Sequence, residues 1–120
     1  MLRSINPSNY KVIGEVEIST SREISDKVRE IRIFQKHWAS AGVADRVYAL
    51  RQAFKEFEKR KDEVIQLESR EMGKPITAAA SDFNDAMAFA NWYLKNAEKC
   101  LAPETTFESD SEIHRVSRKP

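Results

Sequence analysis

Cys100 is the sole cysteine of the chain and the first residue to test as a nucleophile. A catalytic thiolate needs a nearby cation, a helix N-terminus or a general base to hold it in the charged form. In Ala97-Glu98-Lys99-Cys100-Leu101 the cysteine falls in the last turn of a helix-periodic segment, where the negative end of the helix opposes a thiolate. Lys99 precedes it but projects from another side of the helix. Cys100 therefore reads as a small side chain at a packed or half-exposed position. His37 and His114 have no second histidine or cysteine at ligand spacing, so no zinc site is expected. Asp82 and Asp85 share a helical face, as surface acids commonly do, and no catalytic carboxylate pair is expected. Gly14, Gly42 and Gly73 lie too far apart to form a phosphate-cradling loop. Phe83, Phe89, Trp92 and Tyr93 could stack a ligand, but at helical spacing they read as core.

The elements that must carry these residues follow from periodicity and punctuation. Asn6-Pro7-Ser8-Asn9 is a turn cluster, and the alternation from Lys11 to Ile18 predicts one half-buried strand. Thr20-Ser21-Arg22-Glu23 has capping-box spacing, which starts a first helix over about Ser21 to Ala41. Ile24, Val28, Ile31, Phe34 and Trp38 form its apolar stripe, expected to be buried, and Gly42 is expected to end it. A second helix is predicted over Ala44 to Met72, with Val47, Leu50, Phe54, Phe57, Val64 and Leu67 in a stripe interrupted at Lys61. Glu23 with Lys27, and Glu56 with Arg60, have the spacing of stabilising surface pairs.

A third, more apolar helix is predicted from Ile76 to Leu101, wanting burial on more than one side and stopped by Pro103. Thr105 to Val116 then reads as a hairpin around Ser109-Asp110-Ser111. The fold class is mainly α with short β elements, one unit over 1–120: a strand region (1–19), helices (20–102) and a hairpin (103–120). A continuous second helix would be about 40 Å long, more than a compact domain of this size covers.

The 120-residue chain has room for one core, with 41% hydrophobic and 32% charged residues and a formal net charge of +1. That charge balance argues against a nucleic-acid or membrane-surface partner. No apolar run reaches the roughly 20 residues of a membrane span, and no signal-peptide layout opens the chain. A single cysteine fits a reducing compartment, so a cytoplasmic location is expected.

Between the second and third helices stands Glu71-Met72-Gly73-Lys74-Pro75-Ile76. Its backbone chemistry is a helix stop, a tight corner and a helix start. With its flanks it becomes more specific. Ile5-Asn6-Pro7, the Val12 to Val16 strand, Trp38, Arg46, Glu68, Trp92-Tyr93, Asn96-Ala97-Glu98-Lys99 and Leu101-Ala102-Pro103-Glu104 occur in that order. This series resembles the N-terminal segment of the aldehyde dehydrogenase superfamily, most closely its succinate-semialdehyde branch.

The resemblance implies a fragment of an α/β enzyme whose reaction oxidises an aldehyde to the acid through a cysteine thioester, with hydride passing to NAD or NADP. It implies no catalytic or cofactor-binding residue in this stretch, no bound cofactor and no activity of the chain alone. It further implies a hairpin arm that joins subunits, hence a homo-oligomer or a full-length relative as partner. A self-associating helical module is the alternative. Some relatives bind a monovalent cation at positions matching the carbonyls of Ser4 and Ile5 and the carboxylate of Glu71. Ile31 and Phe34 stand where the family has small alanines, Ala78 replaces a common glutamate, Lys119 stands where glutamate usually precedes the proline, and Pro120 falls where the first dinucleotide-domain strand would begin.

Overall fold

In the computed structural model, which describes residues 1–118, eight elements follow one another. They are β1 (Leu2–Ile5), β2 (Val12–Val16), α1 (Ser21–Ser40), α2 (Val43–Lys59), α3 (Lys61–Met72), α4 (Ile76–Leu101), β3 (Glu104–Glu108) and β4 (Ile113–Val116). Lys119 and Pro120 lie outside the described residues.

The N-terminal region is a hairpin rather than one strand. β1 pairs antiparallel with β2, Leu2 opposite Val16 and Ser4 opposite Gly14, with a register shift between Ser4 and Ile5. Periodicity missed β1 because four residues are too few to show alternation. The Asn6 side chain builds the turn, its Oδ1 accepting from the Ser8 N–H at 2.9 Å and the Ser8 hydroxyl at 2.7 Å. Tyr10, at φ 57°, closes the turn through its N–H to the Asn6 carbonyl at 2.8 Å.

Helix α1 starts where the capping box places it. The Glu23 N–H donates to Thr20 Oγ1 at 3.2 Å, and Glu23 Oε2 accepts the Thr20 N–H at 2.7 Å. That use of Glu23 takes it from Lys27, which pairs instead with Glu30. Likewise Glu56 holds Lys59 and Arg60 holds Glu63, so both expected four-residue pairs give way to three-residue ones. Ala41, in extended conformation, ends α1, and Gly42 stands as the N-cap of α2.

The predicted second helix is two helices. At Arg60 (φ −101°, ψ 18°) the ladder tightens, and its N–H donates to the Phe57 carbonyl at 3.0 Å. Its guanidinium reaches forward to both Glu63 oxygens, at 2.8 and 2.6 Å. Lys61, the residue that interrupts the stripe, bonds Asn84 on α4 at 2.8 Å and lies over the Phe83 ring. On either side of the break, α2 and α3 both pack along α4.

The core lies where α2, α3 and α4 meet. Ile65, Ala79, Phe83 and Met87 are buried together, with Phe54, Val64 and Ala80 packed around them. Leu94 is the fifth buried residue, and no side chain of α1 is buried. The α1 stripe, expected inside, faces outward: Ile31 and Phe34 are each 63% exposed. On α4 the sequence assigns four aromatics to the core, yet only Phe83 is there; Phe89, Trp92 and Tyr93 are exposed. Periodicity correctly marks these faces as apolar but carries no information on whether a partner covers them.

The hairpin at the C-terminal side runs as expected, Glu104 opposite Val116 and Glu108 opposite Ile113, with Phe107 against His114. The whole measures 71 × 39 × 22 Å with a radius of gyration of 20.7 Å. A compact domain of this length has about 14 Å.

So small a core makes single changes visible. Phe83→Ala should cost about 3 to 5 kcal/mol and leave the chain largely unfolded in a urea titration followed by circular dichroism. Gly14→Ala opens onto free space and should move the midpoint by less than about 1 kcal/mol equivalent.

Candidate functional site

The corner between α3 and α4 gathers polar groups from three parts of the chain. Gly73 ends α3 in the left-handed region at φ 67°, its N–H donating to the Ser69 carbonyl at 3.0 Å. A β-carbon at Gly73 would lie 2.6 Å from Pro7 Cγ, so the turn of the β1–β2 hairpin is seated against bare glycine backbone. Ser69 Oγ donates to the Lys74 carbonyl at 2.8 Å, which fixes the next peptide. Pro75 caps α4 with φ −55° just before its first helical residue.

Lys74 is directed back into this corner. Its ammonium donates to Asp82 on α4 and pairs with Glu68 on α3. The Lys74 and Glu68 side chains are largely covered, 23% and 28% exposed, so one cation joins the two helices that make the core. The hydrogen bond it donates to Asp82, then that to Glu68, hold the Lys74 ammonium above the usual lysine range. Asp82 is held below the ordinary carboxylate range, first by the hydrogen bond from Lys74 and then by its charge.

Ser4 and Glu71 meet at the same place. Ser4 Oγ donates to Glu71 Oε1 at 2.5 Å, tying β1 to the end of α3. The bond uses the hydroxyl, whereas the resemblance implies ligation through the Ser4 and Ile5 carbonyls. Ile5 follows at the register shift of β1. Ser4, Ile5 and Glu71 present oxygen donors, the chemistry of hard cations. Among the described residues no group of three or more His, Cys, Asp or Glu side chains could hold a metal ion.

The other sequence candidates are dispersed. Cys100 is exposed and lines an open groove with no histidine or carboxylate among its walls. His114 stands 3.8 Å from Glu112 on the hairpin, and His37 is exposed on α1. Asp82 is engaged by Lys74 and Asp85 is not part of that cluster. The Glu68–Lys74–Asp82 cluster escaped sequence reasoning, because its members are six and eight residues apart across a corner and share no helical period. The αL stop at Gly73 was the only available signal that Lys74 would turn back.

A cavity of about 670 Å³ forms a groove between the end of α1, α2 and α4, walled by Trp38, Val47, Leu50, Trp92 and Leu101 with Arg46 at its side. As for a dinucleotide, both described sheets are two-stranded and antiparallel. None of their strands leads through a glycine loop into a helix.

Comparison with known proteins places this geometry. Residues 1–120 match the model of the aldehyde dehydrogenase family. Chloroplastic betaine aldehyde dehydrogenase of Amaranthus hypochondriacus is 32% identical over 99 residues, 78% of this chain and 20% of that protein. Aminoaldehyde dehydrogenase 2 of Solanum lycopersicum is 30% identical over 117 residues, 96% of this chain and 23% of that protein. The crystal structure of succinic semialdehyde dehydrogenase from Streptococcus pyogenes, in complex with NADP+, superposes with a TM-score of 0.84 at 20% identity. That superposition covers 96% of this chain and 25% of the other. The chain thus spans a fifth to a quarter of the length of these relatives.

The ion cluster sets a pH dependence. The Asp82 bond contributes stability above the unfolded carboxylate value of about 4, lost as pH falls through the lower folded value. The Lys74 contribution is complete below about 10.4 and is lost as pH rises through its raised folded value. Glu23 and Glu63 are also lowered, by hydrogen bonds from the Thr20 backbone and from Arg60, and keep part of the acid limb. Urea midpoints of Lys74→Met measured across pH should therefore lose the alkaline limb and part of the acid limb. Unchanged limbs would show that the cluster does not hold α3 to α4.

Proposed function

This chain belongs to the aldehyde dehydrogenase family, and we propose that it is a structural portion of that fold which has no dehydrogenase activity alone. The observation that carries the reading is the match of the entire chain to the family combined with the scatter of its reactive groups. Cys100 lies on an open groove without a base, and neither histidine approaches it. The family reaction, oxidation of an aldehyde to its acid with NAD or NADP as acceptor, then depends on residues other than these. The enzymes named for betaine aldehyde, aminoaldehydes and succinic semialdehyde support a short aldehyde bearing a charged far end as the substrate class, succinate semialdehyde being our first choice. A full-length relative or a second copy is the expected partner.

No helix among the described residues is long and apolar enough to cross a membrane. We place the chain in the cytoplasm on its single cysteine, although relatives include chloroplastic and peroxisomal proteins.

Purified chain, shown by circular dichroism to be helical, should not reduce NAD+ or NADP+ with any of the three aldehydes, and Cys100→Ser should behave identically. Turnover that disappears in Cys100→Ser would overturn the proposal.

The Ser4–Glu71 junction is proposed to hold a monovalent cation with the Ser4 and Ile5 carbonyls and the Glu71 carboxylate. Melting in potassium chloride against choline chloride of equal ionic strength should give the higher midpoint in potassium, and Glu71→Gln should erase the difference. Equal midpoints for the unmodified chain would exclude the site.

A further inference from the structure

Residues 1–41 and the helices that follow are joined by very little. Among the described residues, the hydrogen bond from Ser4 Oγ to Glu71 Oε1 is the only one linking residues 1–41 to residues 43–118. No ion pair among them joins the two parts. The elements that pack along one another are β1 with β2, β3 with β4, and α2, α3 and α4 among themselves. Pro7, resting on the bare backbone of Gly73, and Trp38, in the wall of the groove with Val47 and Leu50, add apolar contact.

The backbone has joints where such a part would move. Ala41 and Gly42 are both extended, at ψ 139° and 155°. The Ala41 N–H donates back to the His37 carbonyl of α1, and the Gly42 carbonyl accepts from Arg46 of α2, so one helical ladder ends there and the next begins. A second joint lies at 17–20, which forms neither helix nor strand. Between the joints the structure is held by local bonds. The β1–β2 ladder and the Arg3–Glu15 pair at 2.7 Å hold the hairpin, and the Thr20–Glu23 capping box holds the start of α1. None of these bonds depends on the body formed by α2, α3 and α4.

We propose that residues 1–41 form an arm clasped to this body by the Ser4 hydroxyl and the Glu71 carboxylate, and that the arm opens while the body stays folded. Closed, the Ser4 proton satisfies Glu71 and Pro7 covers Gly73. Open, the Glu71 carboxylate and the corner backbone face solvent, and α1 swings at Ala41 and Gly42. A hydrogen bond to a charged group is the strong kind, and here one hydroxyl supplies it, so one side chain controls the clasp. The clasp needs neither aldehyde chemistry nor a bound potassium ion, so its failure is distinguishable from the failure of either of those readings.

Pulsed electron resonance between two nitroxide labels on the 120-residue chain, in choline chloride, tests it. Cys100 is exposed near the far end of α4, about 36 Å from that helix's start, and Lys11→Cys puts the second label on an exposed position of the hairpin. The doubly labelled chain should give one narrow distance distribution. Ser4→Ala should broaden it, raising the ratio of open to closed arm about tenfold, with helical circular dichroism unchanged. Ser4→Thr, which keeps the hydroxyl, should restore the narrow distribution. A narrow distribution in Ser4→Ala would show that the bond is no clasp, and a broad one in the parent that the arm is never closed. Loss of helical signal in Ser4→Ala would show that arm and body are one unit, and a broad distribution in Ser4→Thr that the hydroxyl is not what holds them. Each of these results overturns the proposal.

Discussion

The left-handed residue Gly73 is the constraint from which the rest of the arrangement follows. Its φ of 67° turns the chain between α3 and α4, and its missing side chain leaves the space that Pro7 fills. An L side chain would be strained there and would collide with the proline as well. Because the chain reverses at this point, Lys74 is aimed between Glu68 and Asp82, and Ile65 is brought onto Ala79 and Phe83. The N-terminal hairpin joins the same corner twice, through Pro7 and through the Ser4–Glu71 hydrogen bond. A backbone requirement, a packing contact and an ion cluster thus reinforce one junction.

What this junction holds is a small core with large apolar margins. α1, the outer faces of α2 and α4, and the β3–β4 hairpin leave apolar side chains in solvent. In an isolated chain they favour association, and in a larger assembly they are surfaces waiting to be covered. The overlap with a quarter of a solved family member, at a TM-score of 0.84, accounts for the shape, because elements of a larger fold need not bury their faces on one another.

Much of this was legible in the residues. The capping box at Thr20 and Glu23 located the start of α1, Gly73 and Pro75 the corner, and Pro103 the end of α4. Each is a local signal in which one or two residues decide one backbone conformation. The break at Arg60 was not read, since no glycine or proline marks it. Burial of α1 was expected from its stripe and is absent, because a stripe states what a helix would bury and not whether anything is present to bury it. At the candidate site, Glu71 and Ser4 were named through resemblance, while Glu68, Lys74 and Asp82 needed the fold to bring them together.

Hydrogen exchange in dilute solution tests the central claim, that the corner-held α3–α4 pair anchors the core and α1 lies outside it. In dilute solution the amides around Ile65, Phe83 and Met87 should exchange slowest and as one group, with those of α1 much faster. Protection of α1 equal to that of α4 in dilute, monomeric chain would contradict the account, for it would mean that α1 is held by the fold itself.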